Sequence, residues 1–169
     1  MTEANVMLLV EDNLTDVELT MHVLRKQKLA DVVKVVRDGA EALEFLFGND
    51  AEGHPNPLPE LILLDLKLPK VNGLEVLARI KTDPRTKTVP VVVLTSSSEH
   101  WDLIASYELG ANSYVVKPVA FAEFEAVLRQ LALYWLRINE EAPQRDVEAS
   151  GEAPSKPAKP GSSRKGHAA

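Results

Sequence analysis

Five short apolar runs punctuate the first part of the chain, at positions 6–10, 32–36, 61–64, 91–94 and 114–116. Each is continuous rather than alternating, the pattern of strands covered on both faces in a parallel sheet. Stretches with helical spacing lie between and after them. Val17, Met21 and Leu24 share one face. Ala40, Leu43 and Phe47 repeat that spacing after Gly39, and Leu74, Leu77 and Ile80 repeat it after Asn72 and Gly73. Phe121, Phe124, Leu128, Leu131 and Trp135 form the last stripe.

Alternating strand and helix predicts right-handed crossovers with helices on both faces. The expected architecture is α/β: a doubly wound, five-stranded parallel sheet in the flavodoxin-like strand order 2-1-3-4-5. Residues 140–169 depart from this pattern, with Pro143, Pro154, Pro157 and Pro160 and a single large aliphatic, Val147. Such a stretch cannot bury enough apolar surface to offset its ordering entropy. The expected division is a domain at 1–139 and a disordered Pro/Ala/Lys-rich tail at 140–169. Lys156, Lys159, Arg164 and Lys165 near its end suit a solubilising role.

Composition narrows the function classes. The chain has 169 residues, 25 acidic and 19 basic, with a net charge of -6. An acidic chain lacks the electrostatic footprint of a nucleic-acid binder. The absence of cysteine removes disulfides, Cys-ligated zinc and thiol nucleophiles. No apolar run approaches the ~20 residues of a membrane span, and the N-terminus lacks the basic start of a signal peptide. A soluble, cytoplasmic protein is expected, without a nucleic-acid or membrane partner.

In an open parallel sheet, ligands bind beyond the carboxyl ends of the strands. The first run ends in Glu11 and Asp12, the third in Asp65, the fourth in Thr95 and the fifth in Lys117 and Pro118. In the expected strand order these residues meet at one edge. Clustered carboxylates repel by roughly 4 kcal/mol per pair at about 4 Å and an effective dielectric near 20, so they call for a cation. Hard oxygen donors suit Mg²⁺, which favours sites shared with a phosphate. Lys117 and Thr95 supply a positive charge and a hydroxyl for phosphoryl oxygens. Cation, carboxylate nucleophile, ammonium and hydroxyl around one point describe phosphoryl transfer to an aspartate. Singly, Asp12 could open a helix, and Lys117 and Thr95 could be surface groups. Asp65, ending a run of four aliphatics, is harder to treat as filler.

The motifs that carry these residues are LLVEDN at 8–13, LILLDLKLP at 61–69 with Asn72 and Gly73, VVVLTS at 91–96 and GANSYVVKP at 110–118. In this order and spacing the chain resembles the receiver domain of bacterial two-component response regulators over residues 4–138. The resemblance implies that Asp65 is the phosphoacceptor. It implies Mg²⁺ held by Asp12, Asp65 and the backbone carbonyl of Lys67, with Glu11 assisting. Thr95 would be the switch hydroxyl, Tyr114 the aromatic that rotates with it, and Lys117 the partner of the phosphoryl oxygen. A cis peptide before Pro118 is implied as well, aiming the lysine.

With only thirty tail residues after the last helix, the expected role is a single-domain regulator acting by protein contact, with a histidine kinase as phosphodonor. It would be a switch rather than an enzyme. A closer likeness to phytochrome-associated regulators rests on the long connection at 48–59, the stretch LKLPKVNG at 66–73 and the pair Tyr134 and Trp135. It makes a bacteriophytochrome the candidate kinase. The unusual cation at Lys67 is expected to alter phosphoryl lifetime. Extra apolar residues late in the last helix, including Tyr134, Trp135 and Leu136, together with Trp101, are either core or a partner surface. If a surface, they suit a homodimer through the fourth helix, fifth strand and fifth helix. The histidines 22, 54, 100 and 167 have no metal-ligand spacing and are expected at the surface.

Three other functions compete. A flavodoxin-like nucleotide binder would need a phosphate cradle where Glu11 and Asp12 stand. An aspartyl-phosphate phosphatase would need an acid where Lys67 stands. A phosphorylation-independent pseudo-receiver would lack a site residue, and none is missing.

Overall fold

Strand and helix alternate through residues 7–143, the part of the chain that this computed structural model describes. The strands are β1 (Met7–Val10), β2 (Val33–Val36), β3 (Leu61–Leu64), β4 (Val91–Thr95) and β5 (Ser113–Val116). All pairings are parallel, in the order β2-β1-β3-β4-β5. The helices are α1 (Leu14–Lys26), α2 (Gly39–Phe47), α3 (Gly73–Thr82), α4 (His100–Glu108) and α5 (Phe121–Leu133). A 3₁₀ turn (Ala30–Val32) precedes β2, and a π-helical turn (Tyr134–Ile138) continues α5. Residue 6 of the first run and the tail from 144 onward lie outside the described residues.

Every residue of β1, β3 and β4 is buried, as their unbroken apolar runs require. The edge strands differ: β2 buries only Val36 and β5 buries none of its residues fully. An edge strand has a neighbour on one side only, so its apolar run overstates its burial. One core layer joins Leu8, Val10, Ile62, Leu64, Val91 and Val93 to α2 and α3 through Leu46, Val76, Leu77 and Ile80. On the other face Met7, Leu9, Leu61, Leu63 and Val92 pack with Leu24 of α1 and Ala132 of α5.

Side chains set the helix starts. The Asn13 side chain accepts from the amides of Thr15 and Asp16, Asp38 from that of Glu41, and Asn72 from that of Glu75. Each satisfies amides that a first turn leaves without partners. Asn13, rather than Asp12, therefore opens α1, which leaves the Asp12 carboxylate outside the cap. Gly73 is fixed by close approach: a Cβ there would sit 2.3 Å from the Asp65 carbonyl oxygen. The turn between β3 and α3 therefore folds tightly onto the residue that ends β3.

Two apolar expectations need correcting. Phe121, placed by its spacing on the core stripe of α5, is 59% exposed, because it stands at the first turn beyond the sheet edge. The four residues grouped as a partner surface divide. Trp101 and Tyr134 face outward, whereas Trp135 and Leu136 pack against the core layer that contains Met7 and Leu9. Tyr134 and Trp135 touch edge to face, with ring centroids 5.0 Å apart. Among the described histidines, 22, 54 and 100 are exposed, as expected.

Candidate functional site

Strand register brings the distant polar residues together. Val10 pairs with Leu64 and Leu64 with Val93, so Glu11 and Asp65 emerge side by side at the carboxyl edge of neighbouring strands. Thr95 pairs with Val116, and the backbone ladder runs one residue further. The amide of Asp65 donates to Val10 O at 3.0 Å, that of Glu11 to Val36 O at 3.1 Å and that of Lys117 to Thr95 O at 2.7 Å. These bonds hold the site residues to the rigid sheet rather than leaving them on free loops.

The carboxylates of Glu11, Asp12 and Asp65 can each place an oxygen within 4.8 Å of the others. Asp65 is buried, and its Oδ1 accepts from the Leu66 amide at 2.7 Å, which fixes the plane of the carboxylate. Glu11 is buried too, and its pKa is pushed up to about 7, chiefly by burial, with the Asp65 charge adding to it. Three carboxylates so close together concentrate negative charge at one point. That charge and the all-oxygen donor set fit a hard divalent cation. Lys67, whose carbonyl was expected to join the metal ligands, presents an exposed side chain, and its amide points toward Asp65 Oδ1 at 3.4 Å.

Lys117 closes the site. Its side chain is only 8% exposed, and its ammonium donates to Glu11, to Asp16 Oδ2 at 2.8 Å and to Asp65 Oδ2 at 3.2 Å. Burial works against its charge, yet these carboxylates hold its pKa above the ordinary lysine value. The peptide joining Lys117 to Pro118 is trans, contrary to the expectation of a cis bond. Trans is the intrinsically favoured isomer even before proline, and here the carboxylates aim the lysine.

Thr95 is fully buried, and its Oγ1 accepts from the Ser97 amide at 3.3 Å. The Tyr114 hydroxyl donates to Ser97 O at 3.0 Å, and the Ser97 hydroxyl donates to Asp102 Oδ2 at 2.5 Å. Ser97 therefore ties Thr95, Tyr114 and the first turn of α4 together. Trp101, on that turn, is 72% exposed.

Sequence reasoning missed Asp16, Ser97 with Asp102, and Arg37, whose guanidinium donates to Asp12 O at 2.6 Å. Asp16 stands one helical turn after Asp12, a spacing that could have drawn attention to it. It reads equally well as an acid favoured at a helix N-terminus. Arg37 directly follows the second apolar run, the same strand-end position that Glu11, Asp65, Thr95 and Lys117 hold on the other strands.

Residues 7–129 match the family model described as the response regulator receiver domain. Over 131 residues the chain is 43% identical to the response regulator Rcp1 of Synechocystis sp., covering 78% of this chain and 88% of that one. A crystal structure of the Mn(2+)-bound form of Rcp1 superposes with a TM-score of 0.75 at 40% identity, covering 82% of this chain and 99% of that one. A phosphorylated cyanobacterial phytochrome response regulator, RcpA, gives a TM-score of 0.76 at 36% identity, covering 83% and 100%. The bacteriophytochrome response regulator AtBRR is 49% identical with a TM-score of 0.61, covering 82% and 99%.

Proposed function

The chain belongs to the response regulator receiver domain family, and on that premise we propose that Asp65 accepts a phosphoryl group from a histidine kinase and thereby switches a protein-binding surface. The observation that carries this reading is the placement of Asp65 between two neighbouring carboxylates and the Lys117 ammonium, 3.2 Å away, at one sheet edge. An Asp65 carboxylate oxygen attacks phosphorus. The bond from phosphorus to the kinase histidine nitrogen breaks, and that nitrogen keeps the electron pair. Lys117 then holds a phosphoryl oxygen by charge and hydrogen bond.

Receiver domains take a divalent metal at such an acidic pocket, and Mg²⁺ is our choice for this one. Glu11, Asp12 and Asp65 would hold it, with the carbonyl of Lys67. When bound, it neutralises charge on the transferring group. Thr95 would be drawn to the phosphoryl group and Tyr114 would follow. Ser97, which touches both, would carry the shift into α4.

The cognate kinase in this reading is a bacteriophytochrome, by analogy with the phytochrome response regulators among its relatives. The receiver would occupy residues 1–139, with 140–169 as a solubilising tail. It would act in the cytoplasm as a self-limited switch rather than as a turnover enzyme. Among the described residues no helix is long and apolar enough to cross a membrane. A homodimer through α4, β5 and α5 would use outward residues such as Trp101 and Tyr107. Sedimentation that stays monomeric at high concentration would remove the dimer from this account.

The test is intact mass after incubation with Mg²⁺ and acetyl phosphate, then with a phosphorylated kinase, beside Asp65→Asn. Gain of one phosphoryl group by the wild type alone is the expected result. No gain from either donor would shift the reading to a phosphorylation-independent scaffold.

A further inference from the structure

An ammonium has three N–H donors, and Lys117 directs them to three carboxylates: Glu11, Asp16 and Asp65. Two of these belong to the trio that can hold a cation, and Asp16 does not. Its side chain is 24% exposed, against 4% for Glu11 and 8% for Asp65. Asp16 therefore grips the ammonium from the solvent rim, while Asp65 meets it from inside.

The backbone beneath Asp16 is pinned. Its amide donates to the Asn13 side chain at 3.2 Å, and its carbonyl accepts from the Thr20 hydroxyl at 2.7 Å. A helix N-terminus favours an acid without any lysine nearby. What that preference does not account for is a contact 101 residues away in sequence, on the lysine that faces the reacting carboxylate. From these contacts, and resting on the function proposed above, we infer that Asp16 is a positioning residue for phosphoryl transfer, holding the Lys117 ammonium over Asp65.

The physical reason lies in the lysine itself. Its stem has several rotatable bonds and its point charge seeks any carboxylate or water. A cation that draws Glu11 and Asp65 to itself weakens two of the three anchors. Asp16 is the anchor that keeps its full charge for the lysine. One N–H stays on Asp16, and the others remain aimed at the place where phosphoryl oxygens arrive.

A double-mutant cycle tests this on the full chain, with Asp16→Asn, Lys117→Met and both together. The first readout is the rate of phosphorylation by acetyl phosphate at saturating Mg²⁺, followed by intact mass. Asp16→Asn is expected to slow the wild type about tenfold, the worth of one charge-assisted hydrogen bond. In the Lys117→Met background it should slow nothing further, whereas a merely structural role would cost the same in both. The second readout is the urea midpoint in EDTA, where the two substitutions should be non-additive. Lys117→Gln replaces Lys117→Met if that variant does not fold. An unchanged or faster rate in Asp16→Asn, or equal slowing in both backgrounds, overturns the inference while the phosphoacceptor reading stands. A wild type that gains no phosphoryl group overturns both.

Discussion

Two half-buried lysines sit at opposite ends of the same sheet, each with three oxygen acceptors, and their electrostatics are opposite. At the carboxyl edge Lys117 donates to the carboxylates of Glu11, Asp16 and Asp65. At the other end Lys81 donates to Val89 O at 2.8 Å, Asn112 Oδ1 at 2.9 Å and Lys87 O at 3.2 Å, all neutral. The carboxylates hold Lys117 above the ordinary lysine value despite its burial, whereas burial pushes Lys81 down to about 8. Number and geometry of hydrogen bonds are similar; the partners' formal charge decides. Lys81 acts as a structural clasp between α3 and the loops that lead into β4 and β5. Lys117 is a charge balanced against other charges, which an arriving cation or phosphoryl group can redistribute.

Removing each ammonium exposes that difference. Lys117→Met leaves buried carboxylates facing one another, so metal-free protein should lose about 3–5 kcal/mol of stability, as when one partner of a buried pair is deleted. Urea unfolding in EDTA measures the loss, and Mg²⁺ should restore most of it. The reverse operation is Asp65→Asn, which removes a negative charge from the same cluster and should raise metal-free stability by about 1 kcal/mol. A lowered urea midpoint would contradict the crowding of the Glu11, Asp12 and Asp65 carboxylates. Lys81→Met should cost only about 1 kcal/mol, with or without Mg²⁺, because it unmakes bonds to neutral oxygens.

A pH trend separates the two lysines as well. Native Lys81 releases its proton near pH 8, whereas the unfolded chain holds that proton until about the ordinary value of 10.5. Between those values the unfolded state binds more protons, so stability rises with pH. Lys117, raised above 10.5, contributes a constant amount across that window and loses it only above. Urea midpoints at pH 7.5 and 9.5 should therefore rise in the wild type relative to Lys81→Met. Equal trends in both proteins would mean that Lys81 is not desolvated as the structure places it.

A similar contrast separates the two halves of the site. Glu11, Asp65, Thr95 and Lys117 are attached to the sheet by ladder hydrogen bonds. Helix α4, beside them, fully buries only Ser106, whose hydroxyl has no partner among the described residues, while Trp101, Ile104 and Tyr107 face outward. Its polar tie to the site is Ser97 with Asp102. Ser97→Ala should speed hydrogen exchange in the first turn of α4 and leave β1 and β3 protected; uniform protection would show that packing alone holds the helix.

Five strands, their parallel order and the edge shared by Glu11, Asp12, Asp65, Thr95 and Lys117 could be read along the chain. The reason is periodicity. A strand buried on both faces must be apolar without interruption, and a polar residue ending such a run must lie at the sheet edge. The same logic failed where burial depends on neighbours. The apolar run of β5 sits at an edge, Phe121 begins its helix beyond the sheet, and Trp135 turns inward while Tyr134 turns out.

What only the tertiary structure decided are the partnerships. No spacing joins Asp16 to Lys117, Arg37 to the Asp12 carbonyl or Lys81 to Asn112, since each pair meets through packing of elements distant in sequence. Nor does the residue type announce its charge state. Lys81 and Lys117 are the same side chain, and burial beside neutral or negative oxygens sends their proton affinities in opposite directions. The order of residues sets which groups reach the sheet edge, because periodicity is local. Their pairing and ionisation follow from the folded surroundings, because electrostatic energy depends on distance and burial rather than on order along the chain.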